Sequence, residues 1–285
     1  MSYLIGIDIG TSGTKTVLYD LKGRAVAQAT REYPMSQPKT GWAEEDPEDW
    51  WNAAVATLRS VMKDSGAGPE DILGIGFSGQ MHSLVMLDGE GKVLRPAILW
   101  CDGRTGAECQ EINRRVGAER LLEISANHAL TGFTAGKLLW VRNHEPEIFR
   151  RCRHVLLPKD YVRYRLTGEL ATDVSDASGT NLMNVAKRCW SDELLEKLEL
   201  DPAWFPPVLE SCALAGRVTE QAATLTGLAA GTPVAAGAAD NAASAVGTGT
   251  VLPGSVFNTI GTSGVIFAHS DRPAVAAGGR VHTVC

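Results

Sequence analysis

The sequence predicts an α/β protein with an inserted helical region, and three observations lead to that fold class. Strand-like and helical segments alternate along the chain, residues 104–198 are mainly helical in pattern, and one five-residue turn occurs twice. Alternation of this kind is typical of domains in which helices cover a sheet. The repeated turn further indicates two lobes of similar design.

The first elements follow from local pattern. Residues 4–9, 16–19 and 25–27 are apolar runs separated by glycine-containing turns, which predicts a three-stranded meander. Pro47, with acidic residues around it, is expected to open a helix because proline is favoured in a first helical turn. Residues 72–77 are predicted to form the next strand.

Later elements are shorter. Residues 84–87 are expected to begin a further hairpin that turns at Asp88-Gly89, and residues 155–157 an isolated strand between helices. Residues 234–236 predict another strand, after which Asp240 opens an alanine-rich helix.

The repeat sets the expected domain organisation. Ile-Gly-Thr-Ser-Gly stands at residues 9–13 and again at 260–264, each time between two strand-like runs. A second lobe as large as the first needs about twice the present length. We therefore predict a first lobe at residues 1–250 and the first strands of an incomplete second lobe at residues 251–285.

Composition narrows the function classes. The chain has 285 residues, of which 44% are hydrophobic, and a formal net charge of −6. Mild acidity without a Lys/Arg-rich run argues against nucleic-acid binding, and no apolar stretch is long enough for a membrane span. The six cysteines contain no Cys-x-x-Cys pair, so neither a disulfide nor a zinc framework is expected. The start lacks the charged region of a signal peptide, and we expect a cytoplasmic protein.

The first copy of the turn is a candidate phosphate site. Gly10, Thr11 and Ser12 offer successive backbone N–H groups and two hydroxyls, which suit phosphate oxygens. It is not a P-loop, because Lys15 follows a threonine where that motif requires glycine. The alternative is an ordinary glycine-rich hairpin, and the second copy favours phosphate.

Asp8 lies within an apolar strand just before this turn. A carboxylate in such surroundings is costly unless it is paired or faces a cleft. It is expected either to hold Mg²⁺, directly or through water, or to bind the amides of the turn.

Residues 74–79 form a literal Gly-x-Gly-x-x-Gly, which we reject as a dinucleotide site because no helix is predicted after it. The same strand instead presents Gln80, Met81 and His82 at its end, where α/β folds place ligands. A lone histidine such as His82 is nevertheless more often structural than functional.

Two further acidic residues each have two possible roles. Asp102, at a strand–helix junction, either caps a helix or faces a ligand. Asp240, followed by Asn241, either caps its helix or acts as a base. Capping would hold the Asp240 carboxylate ionised, so its two roles are compatible.

Taken together, these motifs resemble the FGGY carbohydrate kinases over essentially the whole chain. The Gln-Met-His and Ser-Asp-Ala segments favour the branch that acts on xylulose over relatives acting on glycerol, gluconate or ribulose. The resemblance is carried by residues 7–12, 79–82, 98–104, 132–135, 156–161, 175–180, 240–243 and 261–264.

The resemblance implies an actin/hexokinase-like pair of RNase H-type lobes, with ATP and sugar in the cleft between them. It implies that Asp240 takes the proton from the sugar's terminal hydroxyl, and that Asp8 organises Mg²⁺ and the transferring phosphoryl. The implied sugar site comprises Gln80, Met81, His82, Asp102 and Asn241. The implied ATP phosphate site comprises Gly10, Thr11, Ser12, Gly261 and Thr262.

Three positions depart from the family pattern: Cys101 stands where asparagine is expected, Ser83 where glycine is usual, and Ala239 where glycine is common. Family members are also about twice this length. We expect ATP-dependent phosphorylation of D-xylulose to D-xylulose 5-phosphate, with little activity from the 285-residue chain alone. The alternatives are a kinase of a related pentulose or deoxysugar, or a non-catalytic sugar-binding module. A homodimer is left open.

Overall fold

The computed structural model describes residues 1–260, 264–272, 274–275, 279 and 281–285. Among these residues the strands are β1 (Tyr3–Ile9), β2 (Gly13–Asp20), β3 (Ala25–Glu32), β4 (Glu44–Glu45), β5 (Ile72–Gly79), β6 (Val85–Leu87), β7 (Ala97–Ile98), β8 (His154–Leu156), β9 (Thr172–Asp173), β10 (Met183–Asn184), β11 (Cys189–Trp190), β12 (Val208–Leu209), β13 (Leu214–Arg217), β14 (Pro233–Ala235), β15 (Ala238–Ala239), β16 (Val256–Ile260) and β17 (Gly264–Ala268).

The α-helices of the same residues are α1 (Pro47–Ser65), α2 (Gly106–Val116), α3 (Ala118–Ser125), α4 (Thr134–His144), α5 (Pro146–Arg151), α6 (Pro158–Thr167), α7 (Val174–Ser178), α8 (Asp192–Lys197), α9 (Glu220–Thr226) and α10 (Asp240–Gly247). Short 3-10 helices lie at Pro69–Asp71 and Pro202–Trp204. None of the helices described is both long and apolar enough to cross a membrane.

A mixed sheet organises the first lobe. Its strands run in the order β13-β14-β5-β1-β2-β3, and β15 also pairs with β5. The first three strands form the predicted antiparallel meander, whereas β14 and β15 run parallel to β5, as β5 does to β1. The predicted strands and the absence of a helix directly after β5 are therefore confirmed.

Helix α1 packs against the meander and begins where the sequence predicts. The side chain of Asp46 accepts the Glu48 amide at 3.0 Å, and Pro47 occupies the first turn. Both features satisfy or remove donors that a helix start leaves unpaired. Trp50 and Leu58, both fully buried, anchor the helix in the core beneath the sheet.

The predicted inserted helical region is present and has a core of its own. Helices α2 to α5 and α8 enclose apolar side chains such as Leu138, Leu139 and Leu194, all fully buried. Each of the six cysteines is a free thiol.

One local prediction is confirmed and one is wrong. The hairpin that turns at Asp88-Gly89 is present but short: Leu87 bridges Val93, the Asp88 amide donates to the Lys92 carbonyl at 3.0 Å, and the Leu94 amide donates to the Met86 carbonyl at 2.9 Å. The strand at residues 155–157 is not isolated, because β8 pairs antiparallel with β6. This pairing joins β8 to a strand whose residues are fully buried.

The strand-like runs on either side of the second copy of the repeat form an antiparallel pair, β16 with β17. Gly261 and Thr262, which were predicted to face ATP phosphates, lie outside the described residues. Ile260 and Ile266 are 87% and 81% exposed, so these strands expose apolar side chains. The domain boundary at residue 250 stays a prediction.

The close packing of the segment between β14 and β15 against β5 can be tested at Gly237. This glycine has φ +84°, and a Cβ added there lies 2.6 Å from the Phe77 carbonyl oxygen, whereas Gly231 has φ +86° and open space around it. Both Gly→Ala variants carry a backbone cost of about 1–2 kcal/mol. We expect Gly237→Ala to lose at least about 1 kcal/mol more, because the strands must separate. Urea denaturation measures both variants; equal losses would contradict the close approach.

Candidate active site

The register of three parallel strands brings the predicted acids to one edge of the sheet. Asp8 of β1 lies opposite Ser78 of β5, and Ser78 lies opposite Ala238 of β15. Asp240 follows β15 directly. Neighbouring strands are about 4.8 Å apart, so the backbones that carry the two acids are separated by the width of a single strand.

Asp240 has an acidity suited to proton transfer near neutral pH. Burial and the charge of Asp8 raise its pKa to about 6, against the opposing effect of a hydrogen bond from the Asn241 amide. That amide lies 2.6 Å from Asp240 Oδ1. A base works best when its pKa lies close to the working pH. Asp240 is therefore mostly ionised at pH 7 and still able to accept a proton.

The capping alternative for Asp240 is wrong. Helix α10 begins at Asp240 itself, so the capping position belongs to Ala239, which has no side-chain acceptor. The expectation that capping would keep the carboxylate firmly ionised is wrong for the same reason. One neighbouring amide does not outweigh burial and a second carboxylate.

Asp8 faces the turn that was predicted to bind phosphate. A Cβ on Gly10 would lie 3.8 Å from Asp8 Oδ2, while the Gly10 amide donates to the Gly13 carbonyl at 3.1 Å. Burial raises the pKa of Asp8, and a hydrogen bond with Ser78 and the charge of Lys15 oppose that rise.

The surroundings of Asp8 fit a magnesium ion that is shared with phosphate groups. Mg²⁺ commonly takes one or two carboxylates and completes its shell with phosphate oxygens and water. Among the described side chains no group of three His, Cys, Asp or Glu could hold a metal. A cation beside Asp8 would therefore depend on oxygens from a bound nucleotide.

The turn itself is held by aromatic side chains that the sequence analysis missed. Trp100 Nε1 donates to Thr11 Oγ1 at 2.9 Å, and the Tyr33 hydroxyl donates to the Gly10 carbonyl. Thr11 is half-buried and Ser12 is exposed. Trp100 could have been found from its place in the 98–104 motif. No sequence feature pointed to Tyr33, because its contact arises only where the chain leaves β3 beside the turn.

Gln80 supports the loop after β5. It is 1% exposed, its Nε2 donates to Glu45 Oε2 at 3.1 Å, and its Oε1 accepts the Ser83 hydroxyl at 3.1 Å. Glu45, also missed from sequence, has its pKa raised to about 7 by burial. Since both ends of the Gln80 amide have partners inside the protein, its contact with a sugar stays a prediction.

Met81 and His82 lie at the strand end, as predicted. His82 has φ +65°, and its Nδ1 lies 2.6 Å from the Gly179 carbonyl oxygen. Burial lowers its pKa to about 3, so the ring is neutral and Nε2 is left as an acceptor. Met81 Sδ accepts from Asn241 Nδ2 at 3.8 Å, which brings Asn241 to the same place.

A buried lysine fixes the backbone of His82. Lys137 Nζ donates to the His82 carbonyl at 3.1 Å and to the Gly132 carbonyl. Burial lowers the pKa of Lys137 to about 7. A basic residue inside a helical pattern gave no sequence signal for this role.

Asp102 is paired within the protein. Its Oδ2 accepts the Ala43 amide at 2.6 Å and Arg104 Nη2 at 2.7 Å. The capping alternative is wrong, because helix α2 begins at Gly106 and Thr105 precedes it. Contact between Asp102 and a sugar stays a prediction.

Residues near the end of the sequence reach the same region. The His282 ring lies 5.3 Å from the ring of Phe133, which in turn lies 4.5 Å from His82. The side-chain amide of Asn127 exchanges two hydrogen bonds with the backbone of Thr283, of 2.9 and 3.0 Å. The sequence gave no indication of these contacts.

The meander, its parallel continuation and the acids at the strand ends define a lobe of the actin/hexokinase-like ATPase fold, as predicted. A solved xylulose kinase from Rhodospirillum rubrum matches 93% of this chain and 54% of its own, with a TM-score of 0.89 and 37% identity. The chain belongs to the FGGY family of carbohydrate kinases, whose N-terminal domain matches residues 3–247.

Curated relatives agree. A xylulose kinase of Escherichia coli is 44% identical over 281 residues, covering 99% of this chain and 57% of that protein. A xylulose kinase of Bacillus subtilis is 42% identical over 282 residues, covering 99% of this chain and 56% of that protein. The chain therefore spans little more than half the length of these relatives.

Because the pKa of Asp240 is raised, replacing this residue should stabilise the folded protein by an amount that depends on pH. The folded state holds the Asp240 proton more tightly than the unfolded state, so this carboxyl costs stability as pH rises from about 4 to about 6. We expect Asp240→Asn to match the native chain near pH 4 and to be about 1–3 kcal/mol more stable at pH 7.5.

Urea denaturation at several pH values measures this difference. Asp64→Asn, on an exposed part of α1, is the matched control and should show no such trend. A constant difference between Asp240→Asn and the native chain at all pH values would contradict the raised pKa.

Proposed function

We propose that this chain is the sugar-binding half of a kinase that transfers the γ-phosphoryl group of ATP to D-xylulose. The observation that carries the proposal is the juxtaposition of Asp240 and Asp8 at the strand ends, beside a hydroxyl-bearing turn. The names of the curated relatives support xylulose as the sugar.

Asp240 is the general base of the proposed reaction. As the sugar's terminal hydroxyl oxygen bonds to the γ-phosphorus, the bond from that phosphorus to the β–γ bridging oxygen breaks and ADP leaves. The hydroxyl proton passes to the Asp240 carboxylate. Phosphoryl transfer asks the protein mainly for positioning and charge stabilisation, with one base for the alcohol.

The turn and Asp8 serve the nucleotide side. The backbone amides and hydroxyls of Thr11 and Ser12 would bind phosphate oxygens, and Trp100 holds the Thr11 hydroxyl in place. Asp8 would hold Mg²⁺, which supplies charge neutralisation for the phosphates when bound.

The sugar side is formed by neutral groups. With its Nδ1 committed to Gly179, His82 can accept a sugar hydroxyl at Nε2, while Met81 offers an apolar wall beside Asn241. Ser83, one of the departures from the family pattern, hydrogen-bonds to Gln80 and to the Trp100 amide. Any effect of Ser83 on sugar choice would therefore act through these neighbours. The side chain of Cys101, another departure from the family pattern, is exposed.

The kinase proposal is tested by measuring ADP release from the protein that carries both lobes, with ATP, Mg²⁺ and a panel of pentuloses. We expect D-xylulose to be the best acceptor, and Asp240→Asn to lower kcat by at least about 100-fold. Since the ionised carboxylate is the base, kcat should fall as pH drops through about 6. Asp64→Asn is the control, and turnover of only another pentulose would favour the alternative substrate.

The 285-residue chain alone has a separate expectation. It should bind D-xylulose in calorimetry but release little ADP, because the other side of the nucleotide cleft is expected on a second lobe. Full turnover by this chain would contradict that expectation. An intact mass near 30.4 kDa for the protein from its own source, together with sugar binding and no turnover, would favour the non-catalytic module.

Cytoplasmic localisation and dimerisation remain predictions. The mild acidity of the chain is compatible with both, and neither enters the proposed reaction. Gel filtration of the protein that carries both lobes measures the assembly.

A further inference from the structure

A cluster of buried charges lies directly beneath the candidate active site. Lys159 Nζ contacts Asp160 Oδ1 at 2.7 Å, Asp173 Oδ1 at 2.8 Å and Asp176 Oδ2 at 3.3 Å, and all four side chains are completely buried. Lys159 also packs against the sheet, since a Cβ on Gly79 would lie 3.1 Å from its Cβ. Burying so many charges is costly and is weak evidence of a stabilising role.

The cluster holds the chain segment before Asp240 at two points. Arg163 Nη1 donates to Asp160 Oδ1 at 2.9 Å and to the Ala236 carbonyl at 2.7 Å. At the second point, the Ala239 amide donates to Ser175 Oγ at 2.9 Å. Ala236 and Ala239 lie on either side of Gly237, which has a positive φ. The segment they belong to leads directly into Asp240, the proposed base.

Ser175 connects this segment to the charges. Its hydroxyl donates to Asp173 Oδ2 at 2.5 Å while accepting the Ala239 amide. Asp173 Oδ2 also accepts the Ser175 amide at 2.9 Å and the Ser211 hydroxyl at 2.8 Å. A hydroxyl that donates to an anion is a stronger acceptor for a third group, because hydrogen bonds in a chain polarise one another.

Strand β15 needs such a support. It has two residues, both paired with β5, so its own ladder contributes few hydrogen bonds. The Ala239 amide is buried with its residue, and leaving a buried amide without an acceptor costs about 1–3 kcal/mol.

We infer that Ser175 is a positioning residue: backed by Asp173, it holds the Ala239 amide and thereby sets the place of the Asp240 carboxylate. The consequence of this placement for phosphoryl transfer rests on the proposed function, whereas the effect of Ser175 on the position of Asp240 does not. Displacement of a reacting group by about 1 Å can cost on the order of 100-fold in rate.

The placement of Asp240 is tested in the 285-residue chain by NMR titration of ¹³C-labelled aspartate side chains. Asp240→Asn identifies the Asp240 signal. In Ser175→Ala we expect the Asp240 midpoint to fall by about one unit or more, because a carboxylate that is no longer held gains solvent. Ser178→Ala, at a buried hydroxyl of the same helix that donates to the Ser175 carbonyl, should keep the native midpoint.

Two further variants keep the test decisive. Ser175→Thr retains the hydroxyl and should keep the native midpoint. Where Ser175→Ala does not fold, Ser175→Cys carries the same test, since its sulfur is only a weak acceptor. A native Asp240 midpoint in the folded variant that lacks the hydroxyl overturns the inference.

The rate is measured in the protein that carries both lobes. We expect Ser175→Ala to lower kcat by about 10- to 100-fold and to leave the KM for ATP unchanged, with Ser178→Ala near native. Unchanged kcat in Ser175→Ala overturns the catalytic consequence. Absence of D-xylulose phosphorylation in the unsubstituted protein overturns the proposed function instead and leaves the titration result standing.

Discussion

The structure depends on the parallel register of β1, β5 and β15, which forces two carboxylates toward each other. Asp8 and Asp240 are separated by one strand and burial raises the pKa of both, while the charge of Asp8 makes Asp240 harder still to ionise. Stability alone does not favour such a pair. A hydrogen bond with Ser78 favours the ionised form of Asp8, while the close approach of Gly237 to Phe77 and the hydrogen bond from the Ala239 amide to Ser175 fix the backbone before Asp240.

Predictions from sequence succeeded where the signal is local. The meander, helix α1 and the strand ending before Gln80 follow from apolar runs, glycine turns and a capping aspartate. The family resemblance is confirmed, whereas the two lobes that the repeated turn indicates stay a prediction. The failures have two causes: the pairing of β6 with β8 joins segments distant in the chain, which no local pattern reports, and helix α10 begins one residue earlier than a capping role for Asp240 requires.

The supporting residues of the candidate site were the least predictable. Lys137, Glu45 and Lys159 are charged side chains in ordinary positions of their segments, yet each is buried. Lys137 and Glu45 hydrogen-bond to residues of the loop after β5, and Lys159 packs against Gly79 at the end of that strand. Sequence patterns identify residues that face a cleft, because polar side chains are unusual within or directly after an apolar strand. Residues that hold them in place are identified only by contacts.

The contact between Phe133 and His282 has an evolutionary consequence. The two rings belong to segments far apart in the chain, and Phe133 also lies against His82. A change in the size of either ring would disturb the other and, through Phe133, the neutral imidazole at the strand end. Positions 133 and 282 should therefore co-vary among related sequences, with compensating pairs of substitutions accepted more often than single ones.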